Sequence, residues 1–202
     1  MRILVATRNA GKLRELVPML RAAGWQPVDL ATAGIVEASH EAGIESHGSF
    51  EANALAKARH FFSIGGIPTL ADDSGLCVDA LGGRPGVRSK RWSGRDDLEG
   101  RALDDANNAM LLSSLRPEDP RGGAYVCAAA FVDADDEVVG RGETRGMLLS
   151  QPRGAGGFGY DPYFLSDELG ATFAEVSREA KARVSHRGRA VAAVLAALAS
   201  RR

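Results

Sequence analysis

The chain has 202 residues, 45% of them hydrophobic and 25% charged, and a formal net charge of −1. This length is enough to bury a substantial core, so we expect one domain over residues 1–202, with at most two lobes. The near-zero charge argues against a nucleic-acid-binding surface, and no apolar run is long enough to span a membrane. The chain opens directly into a short strand, and Cys77 and Cys127 lie in apolar runs. We therefore expect buried thiols and a cytoplasmic location.

The first predicted strand, Ile3–Ala6, leads into the loop Thr7–Lys12 and then into a helix near 11–23. The helix is indicated by apolar residues at i, i+3, i+4 and i+7 from Leu13, with Pro18 predicting a kink or a late start. Backbone N–H groups at such a helix start bind anions, and Lys12 adds a charge suited to phosphate. An ordinary turn with a surface lysine is the alternative.

A strand near 27–30 follows, and then a helix near 49–62 with Ser49 as a good N-cap. Asn53 and Lys57 are four residues apart, so they share one face of this helix. An amide donor beside an ammonium group would suit a triphosphate. A solvated polar face is the alternative.

The most informative segment is Ala-Asp-Asp-Ser-Gly-Leu at residues 71–76. We expect a buried strand at 67–71, a turn at Ser74-Gly75 and a second strand near 76–81. Asp72 and Asp73 would then lie at a strand tip. Neighbouring carboxylates resist being ionised together unless a cation lies between them, and Mg²⁺ fits that requirement. A solvated turn is the alternative.

Next come a predicted helix near 96–115, a Pro- and Gly-rich linker at 116–123, and strands near 124–132, 138–149 and 162–165. Strands alternate with helices early in the chain and cluster later. This order predicts an α/β fold, with a mixed central sheet flanked by helices, a smaller antiparallel lobe, and an active-site cleft between the lobes.

The stretch Arg153–Pro162 satisfies the pattern G-x-G-x-x-G. We reject a dinucleotide-binding fold, because that pattern needs a helix directly after it and Pro162 follows instead. Phe158 and Asp161 in a glycine-rich loop suggest a nucleobase site, since bases stack on aromatic faces. The alternative is a flexible hairpin whose Phe158 packs into the core.

The last segment, Lys181–Gly188, precedes and opens a predicted helix near 186–200, with Ser185 as a candidate cap. Cations are disfavoured at a helix N-terminus. Lys181, His186 and Arg187 therefore suggest a partner that is anionic or rich in hydrogen-bond acceptors, although a lone histidine is more often structural.

Five sequence blocks together resemble the inosine triphosphate pyrophosphatases, also called non-canonical purine NTP pyrophosphatases. They read T-x-N-x-x-K-x-x-E, S-F-x-x-N-A-x-x-K-A, A-D-D-S-G-L, G-F-G-Y-D-P and S-H-R-G, and they span Thr7 to Arg189 in the family's order. Arg8 stands where many members carry Gly or Ser, and Glu45–Gly48 resembles a small extension near Glu41. The resemblance implies hydrolysis of ITP, dITP and XTP to the monophosphate and pyrophosphate, by a homodimer.

The resemblance also implies roles for single residues. Asp73 would be the general base that activates water for attack on the α-phosphorus. Glu41 and Asp73 would hold Mg²⁺, with Asp72 close by. Phe158 would stack on the base. The implied substrate-binding set is Thr7, Arg8, Asn9, Ala10, Gly11, Lys12, Asn53, Lys57, Ser74, Phe158, Gly159, Tyr160, Asp161, Lys181, His186 and Arg187.

The resemblance also implies a preference for 6-oxo purines, and the matching of donors to acceptors gives a physical reason for it. A 6-oxo purine accepts a hydrogen bond from His186 or Arg187, whereas the 6-amino group of adenine would meet donor with donor. Two alternatives stay open: a related pyrophosphatase for modified pyrimidines, and a catalytically silent nucleotide sensor. The intact carboxylates Glu41, Asp72 and Asp73 argue against the sensor, because binding alone needs no general base.

Overall fold

A computed structural model describes residues 1–38, 41 and 43–201 of the chain. Two short 3₁₀ helices, Asp79–Leu81 and Gly86–Arg91, separate the third strand from the third α-helix. In chain order the strands and α-helices are β1 (Arg2–Val5), α1 (Ala10–Ala22), β2 (Gln26–Asp29), α2 (Phe50–Gly65), β3 (Thr69–Val78), α3 (Gly100–Ser113), β4 (Gly122–Val132), β5 (Glu137–Leu148), β6 (Phe164–Ser166), α4 (Arg178–Val184) and α5 (His186–Ala199).

The strands form one sheet in the order β2-β1-β3-β4-β5-β6. Strand β1 pairs in parallel with both β2 and β3, whereas β5 and β6 are antiparallel. The sheet is therefore mixed, and the predicted α/β class with flanking helices is confirmed.

The chain divides into two compact units. Unit 1 comprises Met1–Asp73, Cys127–Gly142 and His186–Arg202, and unit 2 comprises Ser74–Val126 and Glu143–Ser185. The single domain and the cleft expected from the sequence stay predictions.

The core of unit 1 is built from the periodic apolar stripes that the sequence predicts. Leu16 and Leu20 of α1 and Val191 and Val194 of α5 are fully or almost fully buried, and they belong to one cluster with Ile3 of β1. Burial of these side chains, each worth about 1.5–3 kcal/mol, fixes α1 and α5 in this unit.

The core of unit 2 is aromatic. The rings of Tyr125 and Phe164 meet edge to face with centroids 4.7 Å apart, and Phe173 stacks on Tyr125 at 5.8 Å. Leu111 of α3 and Tyr160 belong to the same cluster. Helix α3 and Tyr160 thus contribute to the same core.

The predicted turn at Ser74-Gly75 is wrong. Strand β3 continues through both residues from Thr69 to Val78. A Cβ on Gly75 would lie 2.2 Å from the carbonyl oxygen of Gly86 and 2.4 Å from Oγ of Ser89. The glycine therefore permits a close approach of two segments and does not mark a turn, so Asp72 and Asp73 lie within a strand, where both are buried.

Two further expectations need correction. Helix α1 does not start late, because Oδ1 of Asn9 accepts a hydrogen bond from Lys12 N at 3.0 Å and caps the helix at Ala10. The sequence analysis also missed helix α4, because its seven residues are too few to show a clear helical period. Ser177 caps this helix by accepting a hydrogen bond from Ala180 N at 3.2 Å.

Cys127 is buried as expected, but Cys77 is only half-buried. Across residues 1–38, 41 and 43–201, no helix combines the length and the apolar character needed to cross a bilayer.

Helix α5 packs directly against the backbone of β5. Exposed and buried residues alternate along β5, and the buried face includes Gly140 and Gly142. A Cβ on Gly142 would lie 2.1 Å from the carbonyl oxygen of His186 and 2.6 Å from Ala190 N. The glycine therefore sets the position of the first turn of α5.

We expect Gly142→Ala to lower the free energy of unfolding by about 1–3 kcal/mol, because overpacking shifts backbone rather than a flexible side chain. Urea denaturation measures the change. The control is Val139→Ala on the exposed face of the same strand. Equal stability of Gly142→Ala and wild type would contradict the packing described.

Candidate active site

Asp72 is the centre of a charged cluster in unit 1. Its side chain is fully buried, and Oδ2 lies 3.1 Å from Nζ of Lys12 and 3.0 Å from Nε of Arg187. Nζ of Lys57 donates to the Asp72 carbonyl oxygen at 2.6 Å. Burial alone would raise the pKa of Asp72, but the charges of Lys12, Arg187 and Lys57 outweigh burial and hold this pKa well below its usual range.

The strands and helices of unit 1 bring these groups together. Val5 of β1 pairs with Leu70 of β3, so the loop that follows β1 comes beside Asp72. In that loop Oγ1 of Thr7 accepts from Asn9 N at 3.2 Å, which shapes the turn into α1. Ala10 and Gly11 form the first turn of this helix.

Asp73 has a different environment from that of its neighbour. It is 6% exposed, and its Oδ2 accepts a hydrogen bond from Nδ2 of Asn53 at 2.8 Å. Oδ1 of Asn53 in turn accepts from His47 N at 2.9 Å. Burial raises the pKa of Asp73; Glu45 raises it further, whereas Lys12 lowers it. A carboxylate with a raised pKa and a fixed orientation is suited to accept a proton.

Glu45 is a member of the cluster that the sequence interpretation missed. Its carboxylate forms an ion pair with Lys57. Burial works against ionisation of Glu45, but Lys57 and Lys12 together hold its pKa below the usual range. Glu45 lies in the stretch interpreted as a local extension. The only feature of the sequence that could have indicated it is an acidic residue shortly before the helix that carries Lys57.

Arg187 lies inside unit 1 and is 2% exposed. Besides Asp72, its guanidinium contacts the carboxylate of Glu15 on α1. Glu15 is the last residue of the first family block, so the sequence marked it as a family position but indicated no role for it. His186, the first residue of α5, is also buried. Contact of either residue with a nucleobase stays a prediction.

Glu41 is held by Arg8. Nε and Nη2 of Arg8 donate to the two carboxylate oxygens at 2.8 and 2.6 Å, and Ala38 N donates at 3.1 Å. The hydrogen bond from Arg8 lowers the pKa of Glu41 most, although burial opposes it. The predicted metal ligand Glu41 is therefore an ionised carboxylate with a bidentate partner.

The residues of unit 1 fit a magnesium ion that is bound together with phosphates. Within the described residues, no three His, Cys, Asp or Glu side chains form a group able to hold a metal. Mg²⁺ does not require such a cage, because it is usually bound by one or two carboxylates, water and substrate phosphates. The negative charge of Glu45 raises the pKa of Asp73, so these two carboxylates repel each other. Oδ1 of Asp72 is buried and has no hydrogen-bond partner in the described part of the chain.

A second cluster lies in unit 2, around residues 157–161, which we call the Phe158 loop. Oδ2 of Asp161 accepts from Phe158 N at 2.9 Å and from Nζ of Lys181 at 2.5 Å. Nζ of Lys181 lies 5.0 Å from the ring centroid of Phe158 and 5.2 Å from that of Phe173. Phe158 is half-buried and is not part of the buried core cluster of unit 2.

The neighbouring predicted residues have mainly structural contacts. The hydroxyl of Tyr160 donates to the carbonyl oxygen of Ser89 at 2.7 Å, and Ser74 is a half-buried residue of β3. Gly159 contacts two side chains of α3, Asp104 and Asn108, that the sequence interpretation also missed.

The charged cluster on β3 brings lysines and carboxylates together in unit 1, and the Phe158 loop brings an aromatic ring beside a lysine–aspartate pair in unit 2. The chain belongs to the Ham1 family, whose model matches residues 3–197. It is 49% identical to the dITP/XTP pyrophosphatase of Frankia alni, covering 93% of this chain and 92% of that protein. It is also 49% identical to the dITP/XTP pyrophosphatase of Mycobacterium tuberculosis, covering 98% and 96%. The HAM1 protein from Coxiella burnetii has a similar structure, with a TM-score of 0.82, 30% identity and 99% coverage of both chains.

We expect Arg187→Ala to lower the free energy of unfolding by about 3–5 kcal/mol, because it removes the cation that contacts Glu15 and one of the two cations that contact the buried carboxylate of Asp72. Urea denaturation measures the loss. The exposed Arg14→Ala on α1 should change stability by no more than about 0.5 kcal/mol. An Arg187→Ala protein that is as stable as wild type and has only a raised KM would instead indicate a role in substrate binding alone.

Proposed function

We propose that this protein hydrolyses ITP, dITP and XTP to the nucleoside monophosphate and pyrophosphate. The observation that carries the proposal is Asp73, a buried carboxylate with a raised pKa. It is next to Asp72, whose carboxylate contacts Lys12 and whose carbonyl oxygen accepts from Lys57. The dITP/XTP pyrophosphatase relatives, 49% identical over nearly the whole chain, support the same reaction.

Lys12 and Lys57 are assigned to the phosphates. A nucleoside triphosphate carries about four negative charges, so catalysis depends on cations and hydrogen-bond donors that neutralise them. The start of α1 supplies backbone N–H groups near Ala10 and Gly11. Oδ1 of Asn9 already accepts the hydrogen bond that caps that helix. The side-chain N–H groups of Asn9 therefore remain as its donors to a phosphate. Thr7, Arg8 and Asn53 complete the proposed donor set.

Asp73 is assigned the role of general base. A carboxylate oxygen of Asp73 takes a proton from water, and the water oxygen attacks the α-phosphorus as pyrophosphate leaves. Asn53 orients the carboxylate through its bond to Oδ2. Asp72, whose charge is balanced by Lys12 and Arg187, acts in this scheme as the counter-ion that keeps Lys12 and Lys57 in place.

Mg²⁺ is the proposed cofactor. Asp73 would hold it, and the family resemblance adds Glu41, with Asp72 close by. When bound, a divalent cation stabilises negative charge on the leaving pyrophosphate.

The Phe158 loop is assigned to the base. Phe158 would stack on the purine ring, and Asp161 and Lys181 would line its edge. His186 and Arg187 stay proposed donors to the 6-oxo group. A homodimer is proposed from the family resemblance, and a cytoplasmic location from the two free cysteines.

The reaction products test the whole scheme. With Mg²⁺, we expect ITP to give IMP and pyrophosphate with no accumulation of IDP, and ATP to be a far poorer substrate at equal concentration. Chromatography of early time points resolves these products.

Each other outcome contradicts a specific part of the proposal. Early IDP would mean attack at the γ-phosphorus, and equal cleavage of ATP and ITP would overturn the base assignment. A preference for modified pyrimidine triphosphates would favour the related pyrophosphatase. Nucleotide binding without hydrolysis would favour the sensor.

Asp73→Asn should lower kcat for ITP by at least about a hundredfold, since the amide keeps a hydrogen-bond acceptor for Asn53 but cannot act as a base. Steady-state kinetics with Mg²⁺ measures the change. Asp105→Asn, an exposed site on α3, is the matched control. Near wild-type turnover of Asp73→Asn would rule out Asp73 as the base.

A further inference from the structure

Helix α3 binds both backbone polar groups of Gly159 in the Phe158 loop. Oδ2 of Asp104 accepts from Gly159 N at 2.8 Å, and Nδ2 of Asn108 donates to the Gly159 carbonyl oxygen at 3.0 Å. The two side chains are four residues apart and therefore lie on one face of α3. Together they hold a single peptide position from both sides.

This position controls the placement of Phe158, because Gly159 directly follows it and has a φ of +64°, which favours glycine. The loop is fixed on its other side by Asp161, whose carboxylate accepts from Phe158 N. A Cβ on Gly157 would come within 2.2 Å of Oδ2 of Asp161. The loop thus leaves little room for another backbone path, and α3 supplies the contacts that Asp161 does not.

Burial is energetically unfavourable for both Asp104 and Asn108. Burial raises the pKa of Asp104, and the negative charge of Asp161 raises it further, against the hydrogen bond from Gly159. Asn108 is 5% exposed, and its Oδ1 has no hydrogen-bond partner among the residues described. A buried amide with an unsatisfied acceptor costs stability, so its presence is better explained by the two bonds that its Nδ2 donates, to Gly159 and to the Asp104 carbonyl oxygen.

The adjacent Asn107 performs a different task. Its Oδ1 accepts from Ser93 N at 2.8 Å, and its Nδ2 donates to the Lys90 carbonyl oxygen at 3.0 Å. Two consecutive buried asparagines of one helix therefore bind two separate segments of unit 2. This arrangement offers a control residue of the same type, on the same helix and with similar burial.

We propose that Asp104 and Asn108 are positioning residues for base recognition, which hold Gly159 so that the Phe158 ring keeps the orientation needed to stack on the purine. The inference rests on the proposed function, because it takes the Phe158 loop to be the base site. It adds to that function a role for α3 in base specificity. Helix α3 would act by holding the backbone of the loop and not by touching the ligand.

The test compares Asp104→Ala and Asn108→Ala with Asp105→Ala and Asn107→Ala, and uses Phe158→Ala as the benchmark for loss of the ring. We expect the first two variants to raise KM for ITP roughly five- to thirtyfold with kcat within about twofold, the pattern of lost binding energy rather than lost chemistry. Asp104→Asn keeps an acceptor for Gly159 N and should restore most of the KM. The two controls should stay within about twofold of wild type.

Inorganic tripolyphosphate separates a local effect from general damage, because it carries the phosphates without a base. Its inhibition constant against ITP hydrolysis should be unchanged in Asp104→Ala and Asn108→Ala. Amide hydrogen exchange of the free proteins should show faster exchange at residues 156–161 in these two variants and not in Asp105→Ala.

Three results would overturn the inference: an unchanged KM in both variants, an equal rise of KM in Asn107→Ala, or a tripolyphosphate constant that rises with KM. If wild type hydrolyses none of ITP, dITP and XTP, the proposed function fails and the inference falls with it. If wild type hydrolyses them while Asp104→Ala and Asn108→Ala match it, only the inference fails.

Discussion

The ionised carboxylate of Asp72, buried within strand β3, is the constraint on which unit 1 depends. A buried charge is tolerated only when it is paired and hydrogen-bonded. Here the partners come from three different helices: Lys12 from α1, Lys57 from α2 and Arg187 from α5. One side chain and its carbonyl oxygen therefore determine where three helices must lie along the strand. The neighbouring Asp73 inherits a fixed backbone position from this arrangement, and its own carboxylate accepts a hydrogen bond from the side-chain amide of Asn53.

The same arrangement explains why a cation belongs in the proposed mechanism. In the described cluster, the cations Lys12, Lys57 and Arg187 face four carboxylates, those of Glu15, Glu45, Asp72 and Asp73. Arg8 and Glu41 neutralise each other. A triphosphate would add about four more negative charges, so the lysines cannot neutralise it without help. The electrostatics thus support the divalent cation of the proposed mechanism.

Much of the fold could be predicted from the sequence because it depends on local periodicity. The buried stripes of α1 and α5 follow from residue spacing alone, and the boundaries of β1, β4 and β5 were predicted to within two residues. The errors arose where one residue type is compatible with two different local structures. Gly75 can form a turn or allow a close approach, and only the segment at Gly86–Ser89, distant in sequence, decides between them.

The site was predictable in its residue types but not in its pairings. Arg187 and Asp72 are 115 positions apart, so no local pattern connects them. Glu45 lies in a stretch that departs from the family pattern, and its effect on Asp73 depends on how that stretch folds back on α2. Asp104 and Asn108 were missed because they act on backbone atoms of another segment, and a backbone partner leaves no signature in a sequence.

The two clusters rely on different physics, and this separates two aspects of the proposed activity. In unit 1 the contacts are between full charges, which suit phosphates that every nucleoside triphosphate carries. In unit 2 the contacts are aromatic rings, one lysine–aspartate pair and hydrogen bonds to loop backbone, which respond to the shape and donor pattern of a base. In the proposed scheme a change of base preference would therefore require changes in the Phe158 loop, in α3, or at His186 and Arg187, whereas Lys12 and Lys57 could stay as they are. Loss of activity should therefore follow from substitution of Asp73, Lys12 or Lys57, whereas loss of selectivity should follow from substitutions in the Phe158 loop, in α3, or at His186 and Arg187.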